Sequence, residues 1–383
     1  MRIRLRLVLL SMAAALVLSS FALRAADTIP TQIADDAFWK MIDSVSEEGG
    51  AFQSENFLSN ETGFQAVIPP LLQTTKPGGV YMGVGPEQNF TYIAAIRPKI
   101  AFVIDIRRQN MLEHMIYKAV FEMSADRADF IARLFSLKRP AGLTEKSTVD
   151  ELFTAFDAAE PLDNAAFQKN LQDIKDLLLT RHKFGLTTED EDHIAHVYSV
   201  FREFGPQLDY NSGSFRGGFR GRGRGGMPNY TELMTATDAR GEKRSYLATE
   251  DNYRFLREME TKNMIVPLTG DFGGSKAIRS VGKYLKDHAA TVTAFYLSNV
   301  EQYLFQGNGN QNGGWTNFYD NVAALPLDTT STFIRSAGGS GRGGFGGGGG
   351  MRAPNLLASM QETVEAVKAG RIRSYSDVLA LSR

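Results

Sequence analysis

The chain has 383 residues, with 42 Lys and Arg against 43 Asp and Glu, a formal net charge of −1 and no cysteine. Near-neutral charge gives no general attraction to nucleic acid or anionic lipid, and the missing thiols exclude disulfides, thiolate metal sites and a cysteine nucleophile. The length suits one large α/β domain with insertions, or two modest domains.

Residues 1–25 read as a secretory signal. MRIRLR is a basic start, Leu7–Leu23 is mostly apolar, and Ala22-Leu23-Arg24-Ala25-Ala26 offers small residues for cleavage after Ala25. The expectation is a periplasmic or secreted protein that meets the membrane only through this segment before cleavage, leaving 358 residues to fold. An uncleaved anchor is the alternative, because roughly 17 apolar residues is the short limit for a spanning helix.

Residues 33–75 read as one or two helices with a connecting loop. An unusually polar piece, Ser54–Glu61, precedes a helical run from Phe64 to Leu72. The stretch GVYMGVGPEQNFTYIAAIRPKIAFVIDIRR, from Gly79 to Arg108, then reads as strand, glycine turn, helix and strand. Val80–Val84 ends in Gly83-Val84-Gly85, Gln88–Ile96 has helical spacing, and Ile100–Ile104 ends at Asp105. Asp105 lies 20 residues after Gly85, where a dinucleotide-binding βαβ unit places the carboxylate that bonds a ribose. Glycine admits close approach of a ligand to the backbone, and a carboxylate accepts from a diol. Gln88 stands where the third glycine of G-x-G-x-x-G would be. An ordinary βαβ unit with a glycine turn and a solvated Asp is the competing reading.

One long helix is expected from about Arg108 to Leu137. Its stripe of Leu112, Met115, Ile116, Ala119, Val120, Met123, Ile131, Leu134 and Phe135 would pack on a sheet. Residues 144–204 read as a helical insertion with segments Val149–Phe156, Asn164–Thr180 and Thr188–Phe204. Thr187 or Thr188 would cap the last of these. Strands return at Met264–Thr269, Thr291–Leu297 and Thr332–Arg335, separated by helical segments 249–262, 274–288 and 315–323. A helix is expected near Asn355–Ala369. Three glycine-rich runs, Ser212–Gly226, Gly307–Gly314 and Ala337–Gly350, carry too few large side chains to form a core and read as loops. Four arginines among Phe215 and Phe219 give the first run an RGG-like look, the basis of a nucleic-acid or surface-binding alternative. A solvated linker fits the neutral charge better, so no nucleic-acid partner is expected. His193 and His196 suggest a two-His metal face only weakly beside a solvated charged face.

Five strand candidates alternating with helices predict an α/β fold: a doubly wound, mostly parallel, Rossmann-like sheet with Val80–Val84 central, a helical insertion and glycine-rich loops. Open sheets of this kind bind ligands outside the carboxyl ends of their strands. Those ends carry Gly83, Gly85, Glu87 and Asn89; Asp105, Arg107 and Arg108; Asp271 within GDFGG; and Asn299, Glu301 and Tyr303 within SNVEQY.

The order of GVGPEQNF, AFVIDIRR, PLTGDFGG and YLSNVEQYL resembles class I S-adenosylmethionine-dependent methyltransferases. With the segments VYMGVGPEQNFTYIAAIRPKIAFVIDIRRQN and SADRADF, the chain more closely resembles a bacterial family of unassigned function with a methyltransferase-like fold, over most of residues 50–336 outside the glycine runs. The resemblance implies S-adenosylmethionine as cofactor. Gly83 and Gly85 would approach its methionine part and Asp105 its ribose, with Glu87 and Asn89 beside them. Asp271 would meet the adenine amino group, and Asn299, Glu301 and Tyr303 would face the methyl acceptor as catalytic candidates. Tyr81 and Met82 stand where these enzymes often have an acid. S-Adenosylmethionine is made and held in the cytoplasm, so export leaves a non-catalytic ligand-binding protein on the same fold as the alternative.

Overall fold

The computed structural model describes residues 27–52, 54–212, 227–307, 314–336 and 355–382. The signal segment 1–25, all but Ser212 of the arginine–glycine run, residues 308–313 and the run 337–350 lie outside the described residues. The elements are, in chain order, α1 Asp35–Val45, a 3-10 turn Phe64–Val67, α2 Ile68–Thr74, β1 Val80–Gly83, α3 Gln88–Ile96, β2 Ile100–Asp105, α4 Arg108–Met123 and α5 Arg127–Leu134. The insertion follows with α6 Val149–Asp157, α7 Asn164–Lys175, a π-helical turn Asp176–Arg181, α8 Thr188–Phe204 and α9 Tyr230–Thr235. Then come α10 Glu250–Thr261, β3 Ile265–Thr269, α11 Ala277–Asp287, β4 Val292–Ser298, α12 Val300–Gln306, α13 Gly314–Ala323, β5 Thr332–Ser336, β6 Asn355–Ser359, α14 Met360–Lys368 and α15 Tyr375–Ala380.

The six strands form one sheet in the order β3-β2-β1-β4-β5-β6, so Val80–Gly83 is interior as expected. The first five strands are parallel, and the order on either side of β1 reverses there, the topology of doubly wound sheets. Strands β1, β2 and β3 are buried along their whole length. That burial on both faces accounts for their near-continuous apolar sequences. Among the described residues, no helix is long and apolar enough to cross a membrane.

Two expectations are corrected. The long helix 108–137 is two helices. Ser124 is extended (φ −95°, ψ 138°) and the Asp126 side chain accepts from the Asp129 amide to start α5. The freed Ser124 carbonyl accepts from the Tyr253 hydroxyl at 3.0 Å, a partner that local spacing cannot reveal. The C-terminal helix expected from Asn355 begins only at Met360. Asn355–Ser359 pairs antiparallel with β5, from Ser336↔Asn355 to Thr332↔Ser359. The open edge of β5 offers backbone partners that outweigh the weak helical preference of so short a segment. Ser359 ends the strand and caps α14 through the Glu362 amide.

Candidate functional site

At the carboxyl end of β1 the two glycines have different causes. A side chain on Gly83 would place its Cβ 1.9 Å from Asn89 Oδ1 and 2.8 Å from the Tyr81 hydroxyl. Gly83 is therefore required by internal packing. Gly85 has φ +77°, a conformation that favours glycine, and apart from its two sequence neighbours the nearest atom to a Cβ built there is Asn56 Nδ2 at 3.9 Å. Asn89 ties the loop together: its Nδ2 donates to the carbonyls of Val84, Gly85 and Pro86, and its Oδ1 accepts from the Tyr81 hydroxyl at 2.8 Å. Glu87 is buried, and burial pushes its carboxyl up to about 8 against the stabilising Ser59 amide.

Beside this loop, Asp105 ends β2 as the sequence predicts, next to β1 in the sheet. It is buried rather than solvated. Its Oδ1 accepts from the Arg107 amide at 2.9 Å and from Arg107 Nε at 3.1 Å, and its Oδ2 accepts from Arg107 NH2 at 3.2 Å. Asp271 follows β3, where it accepts from the Gly273 amide and donates its own amide to Glu47 Oε2 at 2.8 Å. Asn299 precedes α12. Tyr303 is half-buried, edge-on to Phe52 at 5.4 Å. Glu301 is buried in an ion pair with Arg335, whose Nε donates at 2.5 Å and NH2 at 3.1 Å, and it also accepts from the Tyr319 hydroxyl at 2.5 Å. Its carboxylate is directed into the β5 side of the core.

The feature that sequence reasoning missed is what covers these strand ends. Residues 46–52 and 54–61 run across the sheet as a strap, bonding to successive strand ends in sheet order. The Glu47 amide donates to Thr269 O at the end of β3, and the Gly50 amide donates to Ile106 O just past β2. The Glu55 carbonyl accepts from Arg107. The Ser59 amide donates to Glu87 at 3.1 Å, beside β1. Glu61 then gathers Ser298 of β4, Gln88 of α3 and Asn355 of β6, at 2.5, 3.1 and 2.8 Å. The Glu47 carboxylate accepts from the amides of Asp271, Lys276 and Ala277, opposite the positive end of α11. Phe52 bridges the two halves of the crevice, with the Arg107 guanidinium 5.9 Å from its ring and Tyr303 on its other side. Phe57 and Leu58 are fully buried. The one signal in the sequence was the polar run Ser54–Glu61: a loop that rich in hydrogen-bonding groups, next to a sheet full of strand-end amides, has partners to find.

Beneath the strap, α4 presents buried polar residues toward the β1 loop. His114 Nε2 lies 2.9 Å from the Gly85 carbonyl, and burial pushes the imidazole down to about 4. Burial also drives the Glu113 carboxyl well above the usual range, partly offset by Arg107 and reinforced by Glu87 and Asp105. His193 and His196 sit on α8, where His196 Nε2 is 3.0 Å from Glu55 Oε1 of the strap. Among the described residues no group of three or more His, Cys, Asp or Glu side chains is arranged to hold a metal ion.

The model of a family described as "Domain of unknown function (DUF7790)" matches residues 57–346, from the strap through β5. None of the curated proteins compared matches the chain.

Proposed function

The chain belongs to the DUF7790 family, and for it we propose an exported, non-catalytic binding protein that encloses a small nucleoside-containing molecule at the carboxyl ends of β1 and β2. One observation carries this reading. Gly85, Glu87 and Asp105 lie side by side at adjacent strand ends, under a strap, next to buried polar atoms of α4 that lack partners. In this reading the carboxylate at the end of β2 accepts from a ribose diol once Arg107 shares it. The strap supplies the enclosure that a small-molecule site needs. Catalysis is the weaker half of the resemblance, because Glu301 is held by Arg335 and Tyr319, leaving only Asn299 and Tyr303 of the three catalytic candidates.

The experiment is calorimetry of the chain beginning at Ala26 with S-adenosylmethionine, S-adenosylhomocysteine and adenosine. Saturable binding of any of the three supports the reading, and absence of binding by all three refutes it. N-terminal sequencing of the protein recovered from the periplasm tests export, with Ala26 as the expected first residue. The second reading is an S-adenosylmethionine-dependent methyltransferase on a methyltransferase-like fold. The observation favouring it is the pairing of Gly83 with Val103 on the strand that ends in Asp105. Methyl transfer depends mostly on positioning, so the strap would have to open to admit an acceptor. Labelled methyl transfer to a protein or small-molecule extract would decide for it.

A further inference from the structure

Asn110, Glu113, His114 and Tyr117 are spaced three, one and three residues apart on α4 and so share one face of the helix. Leu112, Met115, Ile116 and Ala119 form the opposite, apolar face, so α4 is buried on both sides. All four polar residues are 0–1% exposed. Each carries an atom with no hydrogen-bond partner: Asn110 Nδ2, both Glu113 carboxylate oxygens, His114 Nδ1 and the Tyr117 hydroxyl. A buried polar atom left unpaired costs about 1–3 kcal/mol. Five on one helix face call for a partner from outside the chain.

The chemistry of the face selects that partner. The Gly85 carbonyl can only accept, so His114 Nε2 carries the proton and Nδ1 presents a lone pair. Glu113 and the Tyr117 oxygen add further acceptors, and Asn110 Nδ2 is the one obligate donor among the unpaired atoms. Aromatic rings stand alongside. Phe90 lies 5.4 Å from His114 and 5.1 Å from Tyr117, and Phe201 lies 5.9 Å from Tyr117. The strap's Phe57 packs on Phe201 at 6.4 Å and closes that side. Acceptors beside aromatic rings suit an organic cation with several N–H donors. The charged and titratable groups around Glu113 are Arg107 ahead of α4, Asp105 of β2 and Glu87 ahead of α3, with Tyr230 of α9 facing Tyr117.

We propose that this face of α4 is a recognition subsite for a primary ammonium group, which donates to Glu113, His114 Nδ1 and the Tyr117 oxygen. The inference rests on the reading that the crevice takes a ligand, and adds that the ligand is an amine. The amine arrives as its ammonium ion, and Glu113 gives up its carboxyl proton to solvent, so binding releases a proton and leaves a buried ion pair.

The test uses the chain from Ala26 with n-butylammonium chloride as probe, against n-butanol and sodium chloride at matched concentration. Butylammonium is expected to raise the melting temperature while butanol and salt do not. Calorimetry in two buffers of different ionisation heat should show proton release on binding. Glu113→Gln, which copies the neutral carboxyl, should fold and lose both effects. If that variant fails to fold, Tyr117→Phe should weaken binding about tenfold, or roughly 1.4 kcal/mol. Equal stabilisation by butanol and butylammonium, no stabilisation by either, or unchanged binding in these variants overturns the proposal. Adenosine derivatives separate the two readings. If 5′-methylthioadenosine, which lacks the amine, binds as tightly as S-adenosylmethionine, the nucleoside reading stands and the ammonium subsite falls. A butylammonium effect without nucleoside binding does the reverse.

Discussion

Breaking the Glu301–Arg335 pair separates a structural from a catalytic role for Glu301. The side chains are 2% and 0% exposed, with two N–O contacts of 2.5 and 3.1 Å, and the Tyr319 hydroxyl donates to the same carboxylate. Glu301→Leu leaves the Arg335 guanidinium buried without its counter-ion, a loss of about 3–5 kcal/mol. It also strands the Tyr319 hydroxyl, adding about 1–3 kcal/mol. Arg335→Met leaves the carboxylate buried but still bonded to Tyr319, so its cost should lie near the lower end of the first range. The double variant removes both charges. Replacement of a buried pair by apolar residues of similar size is often close to neutral, so the double variant should lose little beyond the Tyr319 hydrogen bond. Urea unfolding followed by tryptophan fluorescence measures all three, with Trp315 a local probe because its ring stacks on Phe305 at 4.7 Å and lies 6.4 Å from Tyr319. A loss below about 0.5 kcal/mol in Glu301→Leu, the range of an ordinary surface change, would refute the reasoning. So would a double variant as unstable as the sum of the singles, because coupling would then be absent.

Other outcomes follow from individual contacts. Asp105→Asn keeps the shape of the buried Asp105–Arg107 contact but removes the charge, so affinity for a nucleoside ligand should fall by about 1–3 kcal/mol in calorimetry; unchanged affinity removes the ribose assignment. Thr187→Ala loses the capping box with Asp190 at the start of α8, and chemical denaturation should register about 1 kcal/mol. Gly83→Ala drives a methyl into Asn89 and Tyr81 and should cost about 1–3 kcal/mol as overpacking, whereas a tolerated alanine would mean the loop has slack. His182 joins Asp35 of α1 to Glu122 of α4, both at 2.9 Å. Burial alone would lower its pKa, but the hydrogen bonds to Glu122 and Asp35 outweigh it and raise the value above 6.5. Its contribution is therefore full below pH 6.5 and lost as pH rises through the raised value. Asp35 and Glu122 are also buried in part, yet their bonds to His182 hold them below 3.8 and 4.5, so their share is lost only as pH falls through those lowered values. The melting temperature difference between wild type and His182→Gln should be largest between pH 4.5 and 6.5 and shrink in alkaline buffer; a difference independent of pH would show that the imidazole packs without carrying charge.

The strands and their neighbours were legible because local physics decides them. Val80–Gly83, Ile100–Asp105 and Ile265–Thr269 are buried on both faces, and such strands must be apolar throughout. The alternation with helices then fixes a parallel sheet, and helix α8 starts where Thr187 and the acids after it say it should. The glycine loop and Asp105 were likewise placed at adjacent strand ends by spacing alone. What the sequence could not decide was which groups pair across long separations. The Glu55 carbonyl takes Arg107, Arg335 takes Glu301, Tyr253 takes the Ser124 carbonyl between α4 and α5, and the edge of β5 draws Asn355–Ser359 out of a helix. The strap across the crevice and the two-sided burial of α4 belong to the same class. The strap carries no periodic pattern of its own, and the periodicity of α4 shows its two faces but not what covers the polar one, because hydrogen-bond donors and acceptors reveal where they belong only when the folded sheet presents the partners they satisfy.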